Sequence, residues 1–315
     1  MSDLRESIEE YLAIRRSLGF ILTTPASDLH NFVAFMEGEN APVITTQLAL
    51  RWVQQATGVQ PATRAARLAT VRRFAAWRSA TDLRTEIPPQ GLLSHRYRRK
   101  HPYIYSDKEI NEIVQAACGL PSPKGLRAHT YSTLFGLLAV TGMRVSEAVN
   151  LDREDVDLEA GILTILRTKF GKTRLVPVHP STRDVLGAYA LQRDQVVPVS
   201  FTRGFFVSER GTRITGGTAR GTFAKVSRQT GLRAPVKGCR HGHGPRLHDM
   251  RHRFAVRTLI NWYRAGLDAG REIPKLSAYL GHVHVNDTYW YLEAVPELLA
   301  LATERIQSEH EEARS

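Results

Sequence analysis

The sequence predicts a mostly α-helical protein with a small antiparallel β-sheet. Apolar residues recur at helical spacing through most of the chain, whereas residues 162–178 have the pattern of a β-hairpin. A stretch that contains Pro88, Pro89 and Gly91 separates a helical first part from a mixed α+β second part. The 315 residues of the chain are enough for two domains.

The chain divides where its composition changes. Residues 1–84 are predicted to form a helical domain, and residues 85–102 a basic interdomain linker. Residues 103–293 are predicted to form the mixed α+β domain. Residues 294–315 form a C-terminal tail, in which an amphipathic helix begins at Pro296.

The N-terminal domain is predicted to contain four helices. Apolar residues at helical spacing predict the first two, of which the first extends to Leu18. The third begins near Thr45 or Thr46, either of which can cap a helix. The fourth follows Pro61, a favourable residue in a first helical turn, and ends at about Arg78.

Arginines follow one face of the fourth predicted helix. Arg64, Arg67 and Arg78 are separated by three and eleven residues, which return to nearly the same angle around a helix. Such a row suits contacts to a phosphate backbone. A solvated helix face explains it equally well, so both interpretations stay open.

The predicted linker ends in a basic run. Arg98, Arg99 and Lys100 lie in it, directly after other basic and aromatic residues. A basic connector between two domains is well placed to follow DNA as the domains wrap around it. A plain solvated linker is the alternative interpretation.

Helical signals open the mixed domain. Ser106 and Glu109 form a capping box at the start of one helix. Residues Tyr131–Val140 are strongly apolar and predict a buried helix. We expect this helix to end at Gly142, since glycine is common just past a helix terminus.

The β-hairpin is the main strand signal of the mixed domain. Its predicted strands are Ile162–Leu166 and Leu175–Val178, and its turn lies around Lys169–Thr173. Further along, Arg233–Arg246 is rich in glycine, histidine and basic residues and is predicted to be a loop.

Charge and cysteine content limit the possible partners and compartment. The net charge is +12 and the isoelectric point about 10.0, which fits either a polyanionic partner such as nucleic acid or a solvated basic surface. Cys118 and Cys239 are too few for a disulfide framework and fit a reducing compartment. Because the N-terminus is polar and no apolar stretch is long enough for a membrane span, we expect a cytoplasmic protein without membrane contact.

Two short segments contain residues suited to phosphate chemistry. Arg144 lies in the turn after the apolar helix, and its planar guanidinium matches phosphate oxygens. His248 and Arg251 are three residues apart and share a helical face, where they combine phosphate binding with proton transfer. Each of these features alone is more often structural.

Two further segments supply a lysine and a tyrosine. Lys169 in the hairpin turn can donate a proton to a leaving oxygen, although turn lysines are normally only solvated. His282 and Tyr291 are nine residues apart, which would place them on opposite faces of a continuous helix. Gly281 is expected to interrupt the helix, so that both side chains can point into one pocket. A buried core tyrosine is the alternative for Tyr291.

The order of these segments resembles the tyrosine recombinases of the phage integrase family. Thr-Gly-Met-Arg144-Val-Ser-Glu is similar to the family's first arginine box, and Leu-His248-Asp-Met-Arg251-His to its second box. Leu-Gly-His282, followed nine residues later by Tyr291, is similar to the final box. The resemblance covers residues 103–293. By position, it implies that the N-terminal helices form a core-binding domain that binds DNA.

The resemblance implies a role for each of the matched residues. Arg144 and Arg251 would clamp the scissile phosphate, and Tyr291 would attack it to form a 3′-phosphotyrosine. His248 would take part in proton transfer, accepting the tyrosine proton, and His282 would hydrogen-bond the phosphate. The phosphotyrosine bond conserves energy, so the resemblance implies no ATP, metal or other cofactor.

Two of these assignments have a competitor nearby in the sequence. Lys169 is preferred as the general acid because Lys172 belongs to a segment that resembles the exit into the next strand, which leaves Lys172 as a DNA contact. Tyr291 is preferred to Tyr289 by its spacing from His282. The region of Cys239 matches no common zinc pattern, so we expect no metal site.

The resemblance also implies an assembly. The predicted function is site-specific DNA recombination of the integrase or mobile-element type, through a Holliday junction. The protein would form a tetramer on double-stranded DNA sites and be a monomer or dimer without DNA. Its tail would dock on a neighbouring protomer, and accessory proteins or sister recombinases can be involved. The alternatives are strand relaxation like that of a type IB topoisomerase and DNA binding without catalysis.

Overall fold

The computed structural model describes residues 2–93, 101–166, 173–198, 202–236, 239–294, 297–300 and 303. The chain divides into two compact units, Met1–Lys100 and His101–Ser315. The helices are α1 (Ser2–Ser17), α2 (Thr23–Gly38), α3 (Thr46–Gln55), α4 (Pro61–Arg78), α5 (Asp107–Cys118), α6 (Leu126–Thr141), α7 (Val145–Asn150), α8 (Pro180–Val196), α9 (Gly216–Gln229), α10 (Asp249–Arg264), α11 (Ala269–Leu280) and α12 (Asn286–Ala294).

The strands are short and antiparallel. They are β1 (Val156–Asp157), β2 (Ile162–Ile165), β3 (Arg174–Pro177), β4 (Ala234–Val236) and β5 (Cys239–His243). The sheet of β1, β2 and β3 contains the predicted hairpin, in which Leu163 is the partner of Val176. The fold class is confirmed: helices dominate, and the sheets of the described residues are small and antiparallel.

The N-terminal unit is a bundle of helices α1–α4 around its own apolar core. Thr45 caps α3, since its hydroxyl accepts a hydrogen bond from the amide of Leu48 at 3.2 Å. Pro61 is the first residue of α4, as predicted. The expected extension of the first helix to Leu18 is wrong, because α1 ends at Ser17 and Leu18 is 67% exposed.

The N-terminal unit also includes the first residues that we had predicted to belong to the linker. The amide of Glu86 donates to the carbonyl of Ile44 at 2.9 Å. The Arg72 guanidinium donates to the carbonyls of Pro88 and Pro89 at 2.7 and 2.9 Å. Residues up to Pro89 therefore pack on the helical bundle, and the chain leaves this unit later than its composition indicated.

Helix α6 forms the centre of the second unit. It contacts α5, α8 and α10, and most of its side chains are buried. The capping box of Ser106 and Glu109 opens α5 as predicted. Gly142 ends α6 with φ of 62°, and a Cβ there would lie 2.6 Å from the ring of Phe254. Glycine is therefore required at this position both for the backbone conformation and for the close contact.

A second antiparallel pair replaces part of a predicted loop. Strands β4 and β5 pair within the segment Arg233–Arg246, with Ala234 opposite His243 and Val236 opposite Cys239. The prediction of a loop over this whole segment was wrong. Glycine, histidine and basic residues have weak strand propensity, so pairing with a neighbouring strand decides the structure here.

Helices α10, α11 and α12 share a smaller core near the end of the chain. Leu259, Ile273 and Leu280 are fully or almost fully buried there. Gly281 ends α11 with φ of 66°, which confirms the predicted break before the last helix. Leu298 is completely buried in the same core, so the first described residues of the tail pack on their own unit. No helix among the described residues is long and apolar enough to cross a membrane.

Candidate active site

Arg144 is held at the junction between α6 and α7. It is the residue before α7, and its amide donates to the Glu147 carboxylate at 2.9 Å. Its guanidinium donates to the same carboxylate at 2.8 Å and to the carbonyl of Gly281 at 2.9 Å. Arg144, which follows α6, is thus held against the glycine break between α11 and α12.

Glu147 connects Arg144 to the hairpin. Its two oxygens accept hydrogen bonds from Arg174 at 3.0 and 2.7 Å, and Arg174 also donates to the carbonyl of Tyr279 at 2.8 Å. Burial would raise the pKa of the Glu147 carboxyl, but the hydrogen bonds from Arg174 and Arg144 outweigh burial and bring the pKa to about 2. One buried carboxylate is therefore ionised and shared by two arginines.

Arg251 lies inside the second unit and is 2% exposed. It donates to the carbonyl of Gly142 at 2.9 Å and to the carbonyl of Leu280 at 2.6 Å. Burial and the nearby charge of Arg144 lower the pKa of Arg251 to about 10, while Tyr291 and Glu147 act in the opposite direction. The two predicted clamp arginines are therefore close enough to repel each other, and an anion between them would relieve this repulsion.

The two glycine turns bring these arginines together. Arg251 contacts the turn at Gly142, and Arg144 contacts the turn at Gly281. A Cβ on Gly281 would lie 2.8 Å from the Arg174 guanidinium and 3.5 Å from that of Arg144. The glycine that breaks the helix thus also gives the arginines room to approach the main chain.

His248 lies beside the arginines, directly before α10. Burial, followed by the positive charge of Arg251, lowers the pKa of His248 to about 4. The imidazole is therefore neutral at neutral pH, where it can donate one hydrogen bond and accept another.

A cavity of about 380 Å³ opens next to these groups. Its charged or titratable lining side chains are Arg144, Arg220, Arg233, Arg246 and His248. Arg246 is partly neutralised by Asp249, at 3.0 Å. Four guanidinium groups and one imidazole around a single cavity form a site for an anion with several oxygens, such as phosphate.

Tyr291 lies on α12 and is 1% exposed, within the core that α10, α11 and α12 share. Its hydroxyl is 3.0 Å from Nδ1 of His252. Its ring centroid is 6.5 Å from that of His282, and the two rings are stacked. The break at Gly281 therefore brings His282 and Tyr291 together, as their spacing indicated. Tyr289, by contrast, is 40% exposed.

The side chain of His282 is also fixed within this region. Its Nδ1 is 2.7 Å from the hydroxyl of Thr288, which lies on α12 and is completely buried. The imidazole of His282 thus connects the break to α12, and Arg144 contacts the carbonyl of the neighbouring Gly281.

The arginines of α4 do not form the exposed row that the sequence predicted. Arg78 is buried and pairs with Asp3 and Ser7. Arg67 lies 4.1 Å from the ring centroid of Trp52 and 3.5 Å from Asp28. Arg64 donates to the carbonyl of residue 56 at 2.9 Å. The three arginines share a face, as expected, but that face packs against the N-terminal unit itself.

Several predicted site residues lie outside the described residues. They are Lys169, Lys172, Arg98, Arg99 and Lys100. Among the described residues, no three histidine, cysteine, aspartate or glutamate side chains are grouped so that they could hold a metal ion. The side chains of residues 239–243, where the sequence predicts no zinc site, lie outside the described ones.

The sequence interpretation missed Glu147, Arg174 and His252. Glu147 was detectable, because it occupies the third position of α7, where a carboxylate caps the helix start. His252 is four residues after His248 on α10, so its position on the helix was predictable. Its contact with Tyr291 was not, because it depends on how α12 packs against α10.

Comparisons with known proteins give a matching family model, related sequences and a related structure. Residues 104–297 match the model of the phage integrase family. The chain is 47% identical to the putative integrase/recombinase y4rB of Sinorhizobium fredii, over 99% of both chains. It is 29% identical to the tyrosine recombinase XerD of Neisseria meningitidis, over 74% of this chain and 73% of the relative. A post-cleavage complex of the XerH site-specific recombinase with a palindromic difH substrate has the same fold, with a TM-score of 0.65 over 90% of this chain and 78% of that one, at 20% identity.

Proposed function

The chain belongs to the phage integrase family of tyrosine recombinases, and we propose that it recombines DNA sites with Tyr291 as its nucleophile. The observation that carries this proposal is the convergence of Arg144 and Arg251 on the two glycine turns. Tyr291 lies close enough to this pair to influence Arg251 electrostatically. The site thus combines a doubly cationic anion site with a buried hydroxyl nucleophile.

In the proposed cleavage, the Tyr291 hydroxyl oxygen attacks the scissile phosphorus. A 3′-phosphotyrosine forms, and the 5′-oxygen leaves. Arg144 and Arg251 would bind the two non-bridging oxygens, whose charge grows in the pentacoordinate transition state. Because the phosphotyrosine ester conserves the bond energy, the proposed reaction requires neither ATP nor a metal ion. Repeated exchange between two DNA sites passes through a Holliday junction.

The remaining predicted residues have supporting roles in the proposal. Lys169 would donate a proton to the leaving 5′-oxygen. His282 would hydrogen-bond the phosphate from the break before α12. His248 is neutral at neutral pH because of its lowered pKa of about 4, so it suits a hydrogen bond to a phosphate oxygen better than lasting storage of a proton.

The proposed substrate is a double-stranded DNA recombination site. The arginine-lined cavity, which begins at Arg144 and His248, would bind phosphates next to the scissile one. The helical unit of residues 1–84 would act as a core-binding domain. Arg98, Arg99 and Lys100 in the linker and Lys172 in the hairpin turn would contact the DNA backbone. Among the α4 arginines predicted to contact DNA, Arg64 bonds only a main-chain carbonyl within its unit. We therefore keep Arg64 as a proposed DNA contact.

We also propose an assembly in which a tetramer on DNA forms from monomers or dimers, in the cytoplasm with the nucleoid. The tail would dock on a neighbouring protomer, and sister recombinases or accessory proteins can join the complex. Because Leu298 is buried in its own unit, we propose that the docking segment follows the described residues of the tail. Deleting residues 304–315 should abolish cooperative assembly and spare half-site binding. Unchanged cooperativity would contradict docking of the tail.

A covalent-adduct assay tests the nucleophile. The protein is incubated with nicked duplexes prepared from the DNA that flanks its gene, and adducts are detected on a denaturing gel. The wild-type protein and Tyr289→Phe should form an adduct, and Tyr291→Phe should form none. An undiminished adduct from Tyr291→Phe, or none from the wild type on any duplex, would contradict the proposal.

A further inference from the structure

We infer that His252 is the base that accepts the proton of Tyr291 during cleavage, and that Asp249 supports it. This inference rests on the proposed function, because it assigns a partner to the nucleophile of that reaction. It gives His252 the role that the sequence interpretation gave to His248. The three side chains form a buried series from α10 to α12.

The contact between His252 and Tyr291 has the geometry of a proton transfer. Nδ1 of His252 and the Tyr291 hydroxyl oxygen are 3.0 Å apart, within hydrogen-bonding distance. Both side chains are buried, with 7% of His252 and 1% of Tyr291 exposed. A hydroxyl can donate to a neutral imidazole nitrogen in this arrangement, and the same bond carries the proton when the tyrosine attacks.

Asp249 lies on the opposite side of the imidazole. Its Oδ1 is 4.0 Å from Nε2 of His252, and the carboxylate is buried. This distance is too long for a hydrogen bond, but at low dielectric it still favours the protonated imidazole. The amide of Arg246 at 2.6 Å and its guanidinium at 3.0 Å hold the carboxylate in place. The order carboxylate, imidazole, hydroxyl is that of other activated nucleophiles.

His248 lies in the same site but is poorly suited to keep a proton. Burial and the charge of Arg251 lower its pKa to about 4, so it would release a captured proton readily. The Asp249 charge acts on both histidines, but only His252 is shown in direct contact with the reacting hydroxyl. The rings of the two histidines are in edge contact, with centroids 4.9 Å apart. Because His248 is neutral, it does not repel the positive charge that His252 gains on protonation.

The proton balance is complete with the groups already named. In cleavage, the O–H bond of Tyr291 breaks and its proton moves to Nδ1 of His252. The tyrosine oxygen bonds to phosphorus, the bond from phosphorus to the 5′-oxygen breaks, and Lys169 protonates that oxygen. In rejoining, the 5′-hydroxyl returns its proton to Lys169 and attacks phosphorus, while His252 returns its proton to the departing tyrosine oxygen. His252 would hold the proton while the strand is open.

The test uses the full chain, two variants of His252 and two substrates. His252→Asn keeps an acceptor near the position of Nδ1 but cannot take up a proton, and His252→Ala removes the acceptor. One nicked duplex has an ordinary scissile phosphate. The other has sulfur in place of the 5′-oxygen, and this sulfur leaves without protonation. Tyr291→Phe is the inactive reference, and His179→Asn, on an exposed helix cap where asparagine also fits, is the matched control.

We expect His252→Asn to form the adduct about 10²-fold or more slowly on both substrates, in the range typical of a lost general base. Lys169→Ala should form the adduct slowly on the ordinary substrate and at nearly the wild-type rate on the sulfur substrate. The reason is that the sulfur leaving group needs no proton from Lys169. Added imidazole should partly restore His252→Ala, because it can fill the space and take the proton. His179→Asn should match the wild type.

Other outcomes would overturn the inference. Wild-type cleavage by His252→Asn would reduce His252 to a hydrogen-bonding contact, and faster cleavage by His252→Ala would mean that it restrains the tyrosine. Recovery of His252→Asn on the sulfur substrate would place it on the leaving-group side. Half-site binding and the circular dichroism spectrum check that each variant is folded. If the wild type itself forms no adduct, the proposed function fails rather than this inference.

Discussion

Two arginines of α4, Arg67 and Arg78, have different partners from Arg144 and Arg251 of the second unit. In the N-terminal unit, Arg78 pairs with Asp3, and Arg67 lies between Asp28 and a tryptophan ring. In the second unit, Arg251 donates to two main-chain carbonyls, and Arg144 divides its bonds between a carbonyl and Glu147. A carboxylate cancels the charge of an arginine, whereas a carbonyl orients the group and leaves its charge available.

This difference indicates where a phosphate can bind. In the second unit, Glu147 is shared by Arg144 and Arg174, and Arg251 adds a further charge nearby. The positive charges of this group exceed the negative charge of its carboxylate. Arg67 and Arg78 of the first unit instead hold helices together. A row of arginines on a helix is therefore a weak sign of nucleic-acid binding unless their partners are known.

Replacing Arg251 should give the largest effect and tests this difference directly. We expect Arg251→Ala to form the covalent adduct about 10³-fold more slowly, because it removes a donor from the transition state. Half-site affinity should fall only modestly. The measurement is the single-turnover rate of adduct formation, with folding checked by circular dichroism. Arg78→Ala is the matched control, and its folded fraction should cleave at the wild-type rate. Cleavage by Arg251→Ala within tenfold of the wild type would contradict the clamp.

Much of the fold and part of the site were predictable from local signals. Pro61, Gly142 and Gly281 mark helix ends because each has a backbone preference that neighbouring residues cannot change. The contacts of Arg78 and His252 depend on which helix packs opposite them, and this is decided by the whole core. The spacing of Tyr291 from His282 was informative because a glycine break lies between them.

Strands β4 and β5 show the same limit. Their residues have little intrinsic strand preference, and their pairing is a contact between two segments of the chain. The capping role of Glu147 is local and was visible in the sequence, but its second partner, Arg174, lies 27 residues away. Sequence patterns thus predicted most of the elements and singled out Arg144 and Arg251, which lie near each other, but not the side chains that orient them.

Glu147 should give the second largest effect, on stability and its pH dependence. Its folded pKa of about 2 is below the usual 4.5, so the ionised carboxylate stabilises the fold above pH 4.5. This contribution, about 3 kcal/mol for such a shift, is lost as the pH falls toward 2. Glu147→Gln should therefore lower the free energy of unfolding at pH 7, and its deficit relative to the wild type should shrink by pH 3.

Urea unfolding at the two pH values measures this effect. Asp3→Asn is the control from the other unit, because the Asp3 side chain is 69% exposed and an exposed partner contributes little. If Glu147→Gln and Asp3→Asn lower the free energy of unfolding equally, a buried carboxylate shared by two arginines stabilises the fold no more than an exposed one. A deficit in Glu147→Gln that is constant from pH 7 to pH 3 would contradict the lowered pKa.

Arg78 should affect the stability of the N-terminal unit without affecting DNA binding. Arg78→Ala removes a buried guanidinium that joins α4 to Asp3 and Ser7 of α1, and we expect a loss of about 2 kcal/mol. Thermal and urea unfolding measure the loss. The dependence of half-site affinity on salt should stay that of the wild type. A smaller salt slope in Arg78→Ala would show that this arginine contacts phosphate after all.

Arg220 should give the smallest effect and shows how far the phosphate site extends. It lines the cavity beside Arg144 and His248, at the exposed start of α9. If it contacts one phosphate, Arg220→Ala should reduce the slope of log affinity against log salt concentration by about 0.9 and leave the preference among DNA sequences unchanged. Arg228→Ala, on the same helix but not lining the cavity, should keep the wild-type slope. If both variants reduce the salt slope by the same amount, the charge of the whole helix acts on DNA. The cavity would then not be a specific phosphate site. If neither does, the anion site ends at Arg144 and Arg251, where the charges of Arg144, Arg174 and Arg251 exceed the single negative charge of Glu147.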